Sequence, residues 1–288
     1  MESGFFDFVY NRQLIWYKRF ALKEEQPWTA DSVLQKYKIL NVYRELDKGT
    51  RYIINKLEDV KDRKAILLNV VFYRFFNRFR LYEDLGIEVF EEISRQLIDE
   101  LKNRLEQLKK QGKPIFNDAY LIAGKKNEAK HVSVLNSILW LSKNADGMIR
   151  RIDNCKTPEK SFEIIKEIPL VGNFLAYEIW TDLTYFDFFR QKWTDNDFVN
   201  IGPGARWGLK IIYGKLIKKE ELEKIKHLHE IQKKYLNNQK WLKVYNRNAF
   251  SNNPFLSLRN IEHSLCEFRK YHNLGLDKGK RRKFVLVR

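Results

Sequence analysis

The sequence predicts an all-α fold, and three observations support that class. Apolar residues recur at helical spacing along most of the 288 residues, whereas strand signals are sparse. Gly and Pro stand mainly between the periodic segments. Hydrophobic residues make up 44% of the chain, which is enough for one large core or two modest ones. No repeat, low-complexity stretch or flexible linker marks a boundary.

In the first half of the chain, four helical segments are expected. A cap at Thr29 or Asp31 precedes the second of them. Gly112 and Pro114 end the fourth, which is amphipathic. The segments are Phe5–Phe20, an aliphatic and polar stretch from Leu34 to Arg51, the aromatic stretch Arg63–Leu81, and Val89–Gln111.

In the second half, helical periodicity continues nearly to the C-terminus. Two helices enclose a short turn, and a charged helix follows further on. The expected helices are His131–Asp153, one ending in Phe162–Lys166, one beginning near Phe174, Trp207–Ile217, Lys219–Asn237, and one containing Ile261–Tyr271.

The turn between two of these helices is the first candidate site. We call Ile168–Asn173 the hairpin; Pro169 and Gly172 indicate a tight turn there. Backbone N–H groups at the start of the following helix favour an anion, so Pro169, Leu170, Val171, Gly172 and Asn173 are predicted to hold a DNA phosphate. The alternative is an ordinary helix–helix turn.

The charge of the chain points to a polyanionic partner. Lys and Arg number 54 against 37 Asp and Glu, which gives a net charge of +17 and a pI near 9.6. Nucleic acid is favoured over an anionic membrane, because no basic amphipathic helix with an apolar anchor is evident. Lys280 and Arg281 belong to a basic cluster near the C-terminus, which is predicted to follow a phosphate backbone unless it is only a solvated end.

The two cysteines, Cys155 and Cys266, lie far apart and outside any Cys-x-x-Cys pair. They indicate a reducing compartment and exclude a four-cysteine iron–sulfur cluster or a cysteine zinc site. His227 and His229 do not face each other on a helix, so no metal site and no cofactor are expected. Without a signal peptide or a membrane-length apolar run, the expectation is a cytoplasmic monomer.

A cluster of carboxylates downstream of the hairpin is the second candidate site. If the hairpin holds a DNA phosphate, Asp197, or as second choice Asp195, is placed to stabilise charge on the deoxyribose or to activate water. The alternatives are a solvated loop or a cap for the next helix. Gly202 and Gly204 allow close approach of a helix or a ligand, and Arg206 is a candidate for contact with phosphate.

These residues resemble the helix–hairpin–helix superfamily of DNA glycosylases. Ile168–Trp180 is similar to that family's Leu-Pro-Gly-Val-Gly hairpin and the helix after it, with Leu170 where the first glycine is usual. The resemblance implies a helix–hairpin–helix glycosylase-like fold that flips the target base out of the stack. Phe174 occupies the position of the Schiff-base lysine in strand-cleaving members, which implies a monofunctional, hydrolytic reaction.

A closer resemblance covers nearly the whole chain. It is to the alpha-glutamyl/putrescinyl thymine pyrophosphorylases and the helical domain of hydroxymethyluracil DNA kinases, a divergent branch of the glycosylase fold that includes antiphage glycosylases. The segments that carry it are Arg12–Arg19, Pro27–Asp31, Asn41–Asp47 with Thr50 and Arg51, Gly172–Leu183, Asn196–Phe198 with Gly202–Gly204, and Leu265–Phe268 with Lys270 and Tyr271.

The resemblance implies further site residues. Asn41, Arg44, Asp47 and Arg51, taken as one polar face of a helix, line the base pocket or touch DNA, or else form a buried polar network. Trp28 and Tyr177 are the aromatic candidates for the same pocket or network.

The leading prediction is a DNA glycosylase, a hydrolase that excises a modified base from phage DNA, leaves an abasic site and serves antiphage defence. The partner is double-stranded DNA with modified bases. The first alternative is a hypermodification enzyme that replaces a pyrophosphate on a hydroxymethyl-pyrimidine with an amine, and the second is a non-catalytic DNA-binding module. A single helical domain over residues 1–288 is expected, or alternatively two lobes with the DNA cleft between them and a hairpin lobe over roughly 30–200.

Overall fold

The computed structural model describes residues 1–117, 124, 127–245 and 254–284. Regular structure in these residues is helical, and no strand forms among them beyond one antiparallel β-bridge between Tyr37 and Lys283. The predicted all-α class is therefore confirmed.

We number the α-helices of the described residues in chain order. They are α1 Glu2–Trp16, α2 Ser32–Lys36, α3 Lys48–Lys56, α4 Arg63–Phe76, α5 Leu81–Leu85, α6 Arg95–Lys110, α7 Lys130–Asp153, α8 Pro158–Ile165, α9 Asn173–Thr184, α10 Pro203–Tyr213, α11 Lys218–Leu236, α12 Gln239–Val244 and α13 Leu258–Gly275. None of these helices is long and apolar enough to cross a membrane.

The chain divides into two compact units. The central unit is Lys48–Thr194, and the terminal unit joins Met1–Asp47 to Asp195–Arg288. The terminal unit therefore contains α1, α2 and α10–α13, and the central unit contains α3–α9. The prediction of one domain, or of two lobes about a DNA cleft, stays a prediction.

The core of the central unit forms around α4. Asp62 caps this helix by accepting the Ala65 N–H at 2.8 Å, and its residues are buried from Ala65 onwards. Helices α7 and α9 pack against it. The predicted helix to Leu81 ends instead at Phe76, because Asn77 adopts a left-handed conformation with φ 45°.

The core of the terminal unit forms where α10 lies along α13. Gly208 allows the close approach, since a Cβ there would lie 2.3 Å from the Leu265 carbonyl oxygen. Phe5 of α1 and Trp241 of α12 are fully buried in the same core. Large apolar side chains from both ends of the chain thus pack around the close contact that α10 and α13 make at Gly208.

The predicted long helix from Leu34 to Arg51 is wrong. Helix α2 ends at Lys36, an irregular segment follows, and a 3-10 turn covers Arg44–Leu46 before α3 begins. Distant partners bind the polar backbone groups of the irregular segment. Arg12 Nε donates to the Ile39 carbonyl at 2.7 Å, and the Leu40 N–H donates to Glu267 at 3.2 Å. These hydrogen bonds replace the intrahelical ones that periodicity alone implies.

Candidate functional site

The hairpin of the central unit forms a tight turn between α8 and α9. The Val171 N–H donates to the Ile168 carbonyl at 3.0 Å, and Leu170 has a φ of 68°. Proline followed by a residue with positive φ is the pattern of a type II turn. The Ser137 hydroxyl of α7 donates to the Pro169 carbonyl at 2.6 Å and ties the turn to the core. The predicted helix–turn–helix is confirmed, although the role of the hairpin in DNA binding stays a prediction.

The start of α9 presents backbone to solvent. Gly172 is the N-cap residue, no side chain caps this end among the described residues, and Gly172, Asn173 and Phe174 are exposed. Gly172 has a φ of −89°, and a Cβ placed on it would have no atom within 4 Å. The fold therefore does not require a glycine at this position. A ligand that approaches the backbone closely would require one.

Helix α9 is anchored behind the hairpin by buried charges. Arg74 of α4 makes a bidentate pair with Asp182, and its Nη1 lies 3.5 Å from Glu178. Arg74 Nη2 also lies 3.3 Å from the Thr50 hydroxyl. All of these residues are buried, as is Tyr177, which is 3% exposed on the same helix. The network fixes α9, and hence the hairpin amides, against the core of the unit.

The predicted carboxylate cluster lies in the terminal unit at the N-terminus of α13. Asp195 accepts a hydrogen bond from the Ser257 hydroxyl at 2.6 Å, and its carbonyl accepts the Arg259 N–H at 3.1 Å. Asn196 Oδ1 accepts the Leu258 N–H at 2.9 Å. Asp195 and Asn196 thus cap a helix, as one alternative held, but the capped helix is α13 and not the next helix in the chain. Asp197 beside them is exposed.

Glu45 was not among the site residues predicted from the sequence. It lies on the 3-10 turn, is 6% exposed, and accepts a hydrogen bond from Asn260 Nδ2 at 3.3 Å. Burial, followed by the negative charge of Asp195, raises the pKa of Glu45 from 4.5 to about 7. The pKa of Asp195 is also raised, mainly by burial, although the hydrogen bond from Ser257 opposes the rise.

Glu45, Asp195 and Asp197 therefore form a series of carboxylates from the interior of the terminal unit to its surface. Glu45 is buried, Asp195 is half-buried and Asp197 is exposed. A buried carboxylate with a pKa near 7 can accept or donate a proton at neutral pH. The only sequence signal for Glu45 is its place within the motif Asn41–Asp47, because its burial depends on a residue of α13.

Asn41 and Asp47 form a second polar network with Arg12 of α1. Asn41 Nδ2 donates to Asp47 at 2.9 Å, and Arg12 Nη2 donates to Asn41 Oδ1 at 2.7 Å. Burial raises the pKa of Asp47 to about 6 and lowers that of Arg12 to about 10. For Asn41 and Asp47 the structure favours the buried-network alternative.

The four residues predicted to share a helical face do not do so, because the chain is not one helix here. Arg44 is buried on the 3-10 turn, where its N–H donates to Asn260 Oδ1 at 2.9 Å. Arg51 is exposed on α3 and belongs to the other unit.

The two predicted glycines near α10 contact α13. The Gly202 N–H donates to Glu262 at 3.1 Å, and a Cβ on Gly204 would lie 2.3 Å from the Cys266 sulfur. Gly204 therefore allows the close approach of a helix, α13, which is the first of the two alternatives predicted for it. Arg206 Nε donates to Glu221 at 2.8 Å, so part of its charge is compensated.

Trp28 and the basic cluster also lie in the terminal unit. The Trp28 indole donates to the Glu24 carbonyl at 2.7 Å, and the Arg19 guanidinium lies 5.2 Å from its ring centroid. Lys280 is exposed, whereas Arg281 lies 3.8 Å from the buried Glu267. No group of three or more His, Cys, Asp or Glu that could hold a metal ion occurs among the residues that the structure describes.

Comparison with known proteins decides the family. The family described as "5-hmdU DNA kinase, helical domain" matches residues 1–281. This chain belongs to that family. A relative named 5-hmdU DNA kinase, from Bacillus phage SP10, is 31% identical over 299 residues, which cover 94% of this chain and 46% of the phage protein. The chain thus spans about half the length of that relative. No solved structure matches.

Membership in the kinase family corrects the leading prediction. The family and the relative are both named for a DNA kinase, which is a transferase. The prediction of a monofunctional DNA glycosylase is therefore wrong, and so are the hydrolase class and the abasic product that belonged to it. The predicted resemblance to the kinase helical domain is confirmed.

Proposed function

We propose that this chain binds DNA containing a hydroxymethyl-pyrimidine and serves a transfer reaction at the hydroxymethyl group, with the base left attached to the sugar. The observation that carries the proposal is the family match over residues 1–281. The first alternative from the sequence, base hypermodification, is of this kind. The 31% identity to the phage 5-hmdU DNA kinase supports it.

Two features support DNA as the partner. The net charge of +17 concentrates phosphates near the protein surface. The start of α9, where Gly172, Asn173 and Phe174 are exposed and open space lies beside Gly172, suits a backbone phosphate. The helix–turn–helix from Pro158 to Thr184 is consistent with a helix–hairpin–helix glycosylase-like fold, which we retain as a proposal.

Glu45 is our candidate for proton transfer. In phosphorylation, the hydroxymethyl oxygen forms a bond to phosphorus, the donor nucleotide loses its terminal phosphoryl group, and the hydroxyl proton needs an acceptor. In amine replacement, nitrogen forms a bond to the methylene carbon, pyrophosphate leaves, and the ammonium proton needs an acceptor. A carboxylate with a pKa of about 7 suits either step, and the charge of Asp195 contributes to that pKa.

The name of the phage relative favours phosphorylation. Replacement of pyrophosphate is the alternative that the sequence itself raised, and this reaction needs no nucleotide donor.

The test is nucleoside mass spectrometry of duplex DNA after incubation with the protein. One arm supplies hydroxymethyluracil DNA with ATP and Mg²⁺, and the other supplies DNA already carrying the pyrophosphate ester with an amine. A phosphorylated nucleoside in the first arm or an amine-substituted one in the second supports the proposal, and Glu45→Gln should abolish it. Glu223→Gln, at an exposed glutamate of α11, is the matched control.

Tight DNA binding without a new nucleoside in either arm would contradict the proposed reaction. It would leave the non-catalytic DNA-binding module as the function of this chain.

A further inference from the structure

A cavity of about 300 Å³ lies beside the C-terminal half of α13 in the terminal unit. We call it the basic cavity, because five of its eight lining residues are cationic. These are Arg269, Lys270, Lys278, Lys280 and Arg281. Such a concentration of one charge sign in a concave surface raises the local potential above that of separate surface lysines.

The loop that closes the basic cavity is held at both ends. After α13 the Lys278 N–H donates to the Asn273 carbonyl at 2.7 Å. Beyond Arg281 the chain pairs with the segment after α2: the Lys38 N–H donates to the Arg282 carbonyl at 2.9 Å, and the Phe284 N–H donates to the Lys36 carbonyl at 3.0 Å. The basic cluster is therefore part of a positioned loop. A loop whose backbone is already ordered loses less entropy when it binds an anion.

Glu267 is buried next to the cavity and is the carboxylate partner of two of the five cations. It is 2% exposed and pairs with Lys270, while Arg281 lies 3.8 Å from its Oε2. Burial alone would raise the pKa of Glu267, but Lys270, His263 and Arg281 together hold it below its usual value. Positive charge thus dominates even at the one buried carboxylate beside the cavity.

The other three cations have no carboxylate partner among the described residues. None of Arg269, Lys278 and Lys280 makes an ion pair there, and the buried Nε of Arg269 has no hydrogen-bond partner. Basic residues in the last turn of a helix stabilise the helix dipole, but the basic residue in the last turn of α13 is His272, so this reason does not account for Arg269 and Lys270. It does not account for Lys278 and Lys280 either, because both follow the end of α13.

We propose that the basic cavity binds a compact phosphate oxyanion with the chemistry of pyrophosphate. Three uncompensated cations on a positioned concave surface match two adjacent phosphoryl groups. The groups can belong to a free diphosphate or to neighbouring phosphates of a DNA strand, since the oxygens presented are the same. The proposal does not depend on the transfer reaction proposed above, because it concerns binding alone.

The test is titration calorimetry of the whole chain with sodium pyrophosphate and, for comparison, sodium orthophosphate at low ionic strength. Pyrophosphate is expected to bind more tightly. Lys278→Ala and Lys280→Ala should each weaken its Kd about tenfold, the effect of losing one charge-assisted contact. Lys219→Ala and Lys226→Ala, at exposed lysines of α11, are the matched controls and should leave the Kd unchanged.

Competition with an unmodified duplex identifies the source of the phosphate. If the duplex displaces pyrophosphate and the cavity variants weaken duplex binding as well, the cavity takes DNA phosphates. If both ligands bind together, it takes a separate diphosphate. Absence of pyrophosphate binding, or equal weakening by the cavity and control variants, would overturn the proposal. No turnover is measured, so the result stands whether or not the transfer reaction is observed.

Discussion

Asn260 links Glu45 to the backbone of the 3-10 turn that carries it. Its Nδ2 donates to Glu45 Oε2 at 3.3 Å, while its Oδ1 accepts the Arg44 N–H at 2.9 Å. One side chain of α13 therefore positions both the turn and the carboxylate. This arrangement keeps Glu45 in a buried site, and its titration can be measured as stability.

Glu45→Gln should make the terminal unit more resistant to unfolding at alkaline pH. The folded-state pKa of about 7 lies above the usual 4.5, so protonated Glu45 stabilises the fold fully below pH 4.5, and this contribution is lost as pH rises through 7. The loss is worth about 3 kcal/mol. Urea unfolding at pH 4.5 and pH 8.5 should show the variant gaining relative to the parent at the higher pH.

Glu223→Gln is the control for that measurement and should follow the parent at both pH values. If Glu45→Gln gains nothing at pH 8.5, the glutamate is not buried as described, and its assignment as the proton acceptor fails with it. If Glu45→Gln is more stable than the parent but loses transfer activity, Glu45 is a functional residue that lowers the stability of the protein.

Gly172→Ala should weaken DNA binding far more than it weakens the fold. The added Cβ meets no protein atom within 4 Å and the φ of −89° suits alanine, so the melting temperature should fall only by the small cost of replacing an N-cap glycine with alanine. A phosphate held by the amides of α9 would be displaced, which should raise the Kd for DNA about tenfold. Fluorescence anisotropy with a labelled duplex measures this change.

Gly147→Ala, in α7 of the same unit, offers the matched control, because its Cβ also meets no atom within 4 Å. It should stabilise α7 and leave the Kd for DNA unchanged. Equal affinities for Gly172→Ala and the parent protein would show that the hairpin is only a helix–helix turn.

Asp182→Asn should destabilise the central unit by about 3 kcal/mol, because the buried Arg74 would lose its bidentate carboxylate and keep only the more distant Glu178. Thermal unfolding measures the effect. Glu163→Gln removes one carboxylate from the exposed pair with Lys166 and should change stability far less. Similar losses in the two variants would mean that the buried network does not anchor α9.

Gly208→Ala should be among the most damaging small substitutions in the terminal unit. Its Cβ would lie 2.3 Å from a backbone oxygen of α13, which cannot rotate away, so a cost of at least about 2 kcal/mol is expected. Gly204→Ala meets the Cys266 side chain instead, and Cys266→Ala should partly restore it. Gly275→Ala, whose Cβ would have an ordinary 3.8 Å contact, should be tolerated in the same unfolding assay.

The sequence predicted those features that depend on neighbouring residues. Pro169 and Gly172 determine the turn between α8 and α9 locally, and so the hairpin was found. The end of α2 was missed because its cause is distant: Leu40 donates to Glu267, 227 residues away. Glu45 was missed for the same reason, since its burial and its partner Asn260, 215 residues away, are tertiary facts.

The glycosylase prediction failed for a different reason. A turn that suits a phosphate is compatible with many reactions on DNA. Only the family match distinguished transfer from excision.

The order of synthesis follows from the division of the chain. The central unit is one continuous segment, and it is synthesised before α10 to α13. Phe5 of α1 and Tyr43, which lies on the segment that carries Glu45, belong to the same core as α13. Their side chains therefore stay exposed to solvent until α13 has been synthesised. Such late, long-range closure slows folding and prolongs exposure of apolar surface. The N-terminal part of the terminal unit is thus among the last to be protected, and production at reduced temperature or with a chaperone should raise the soluble yield.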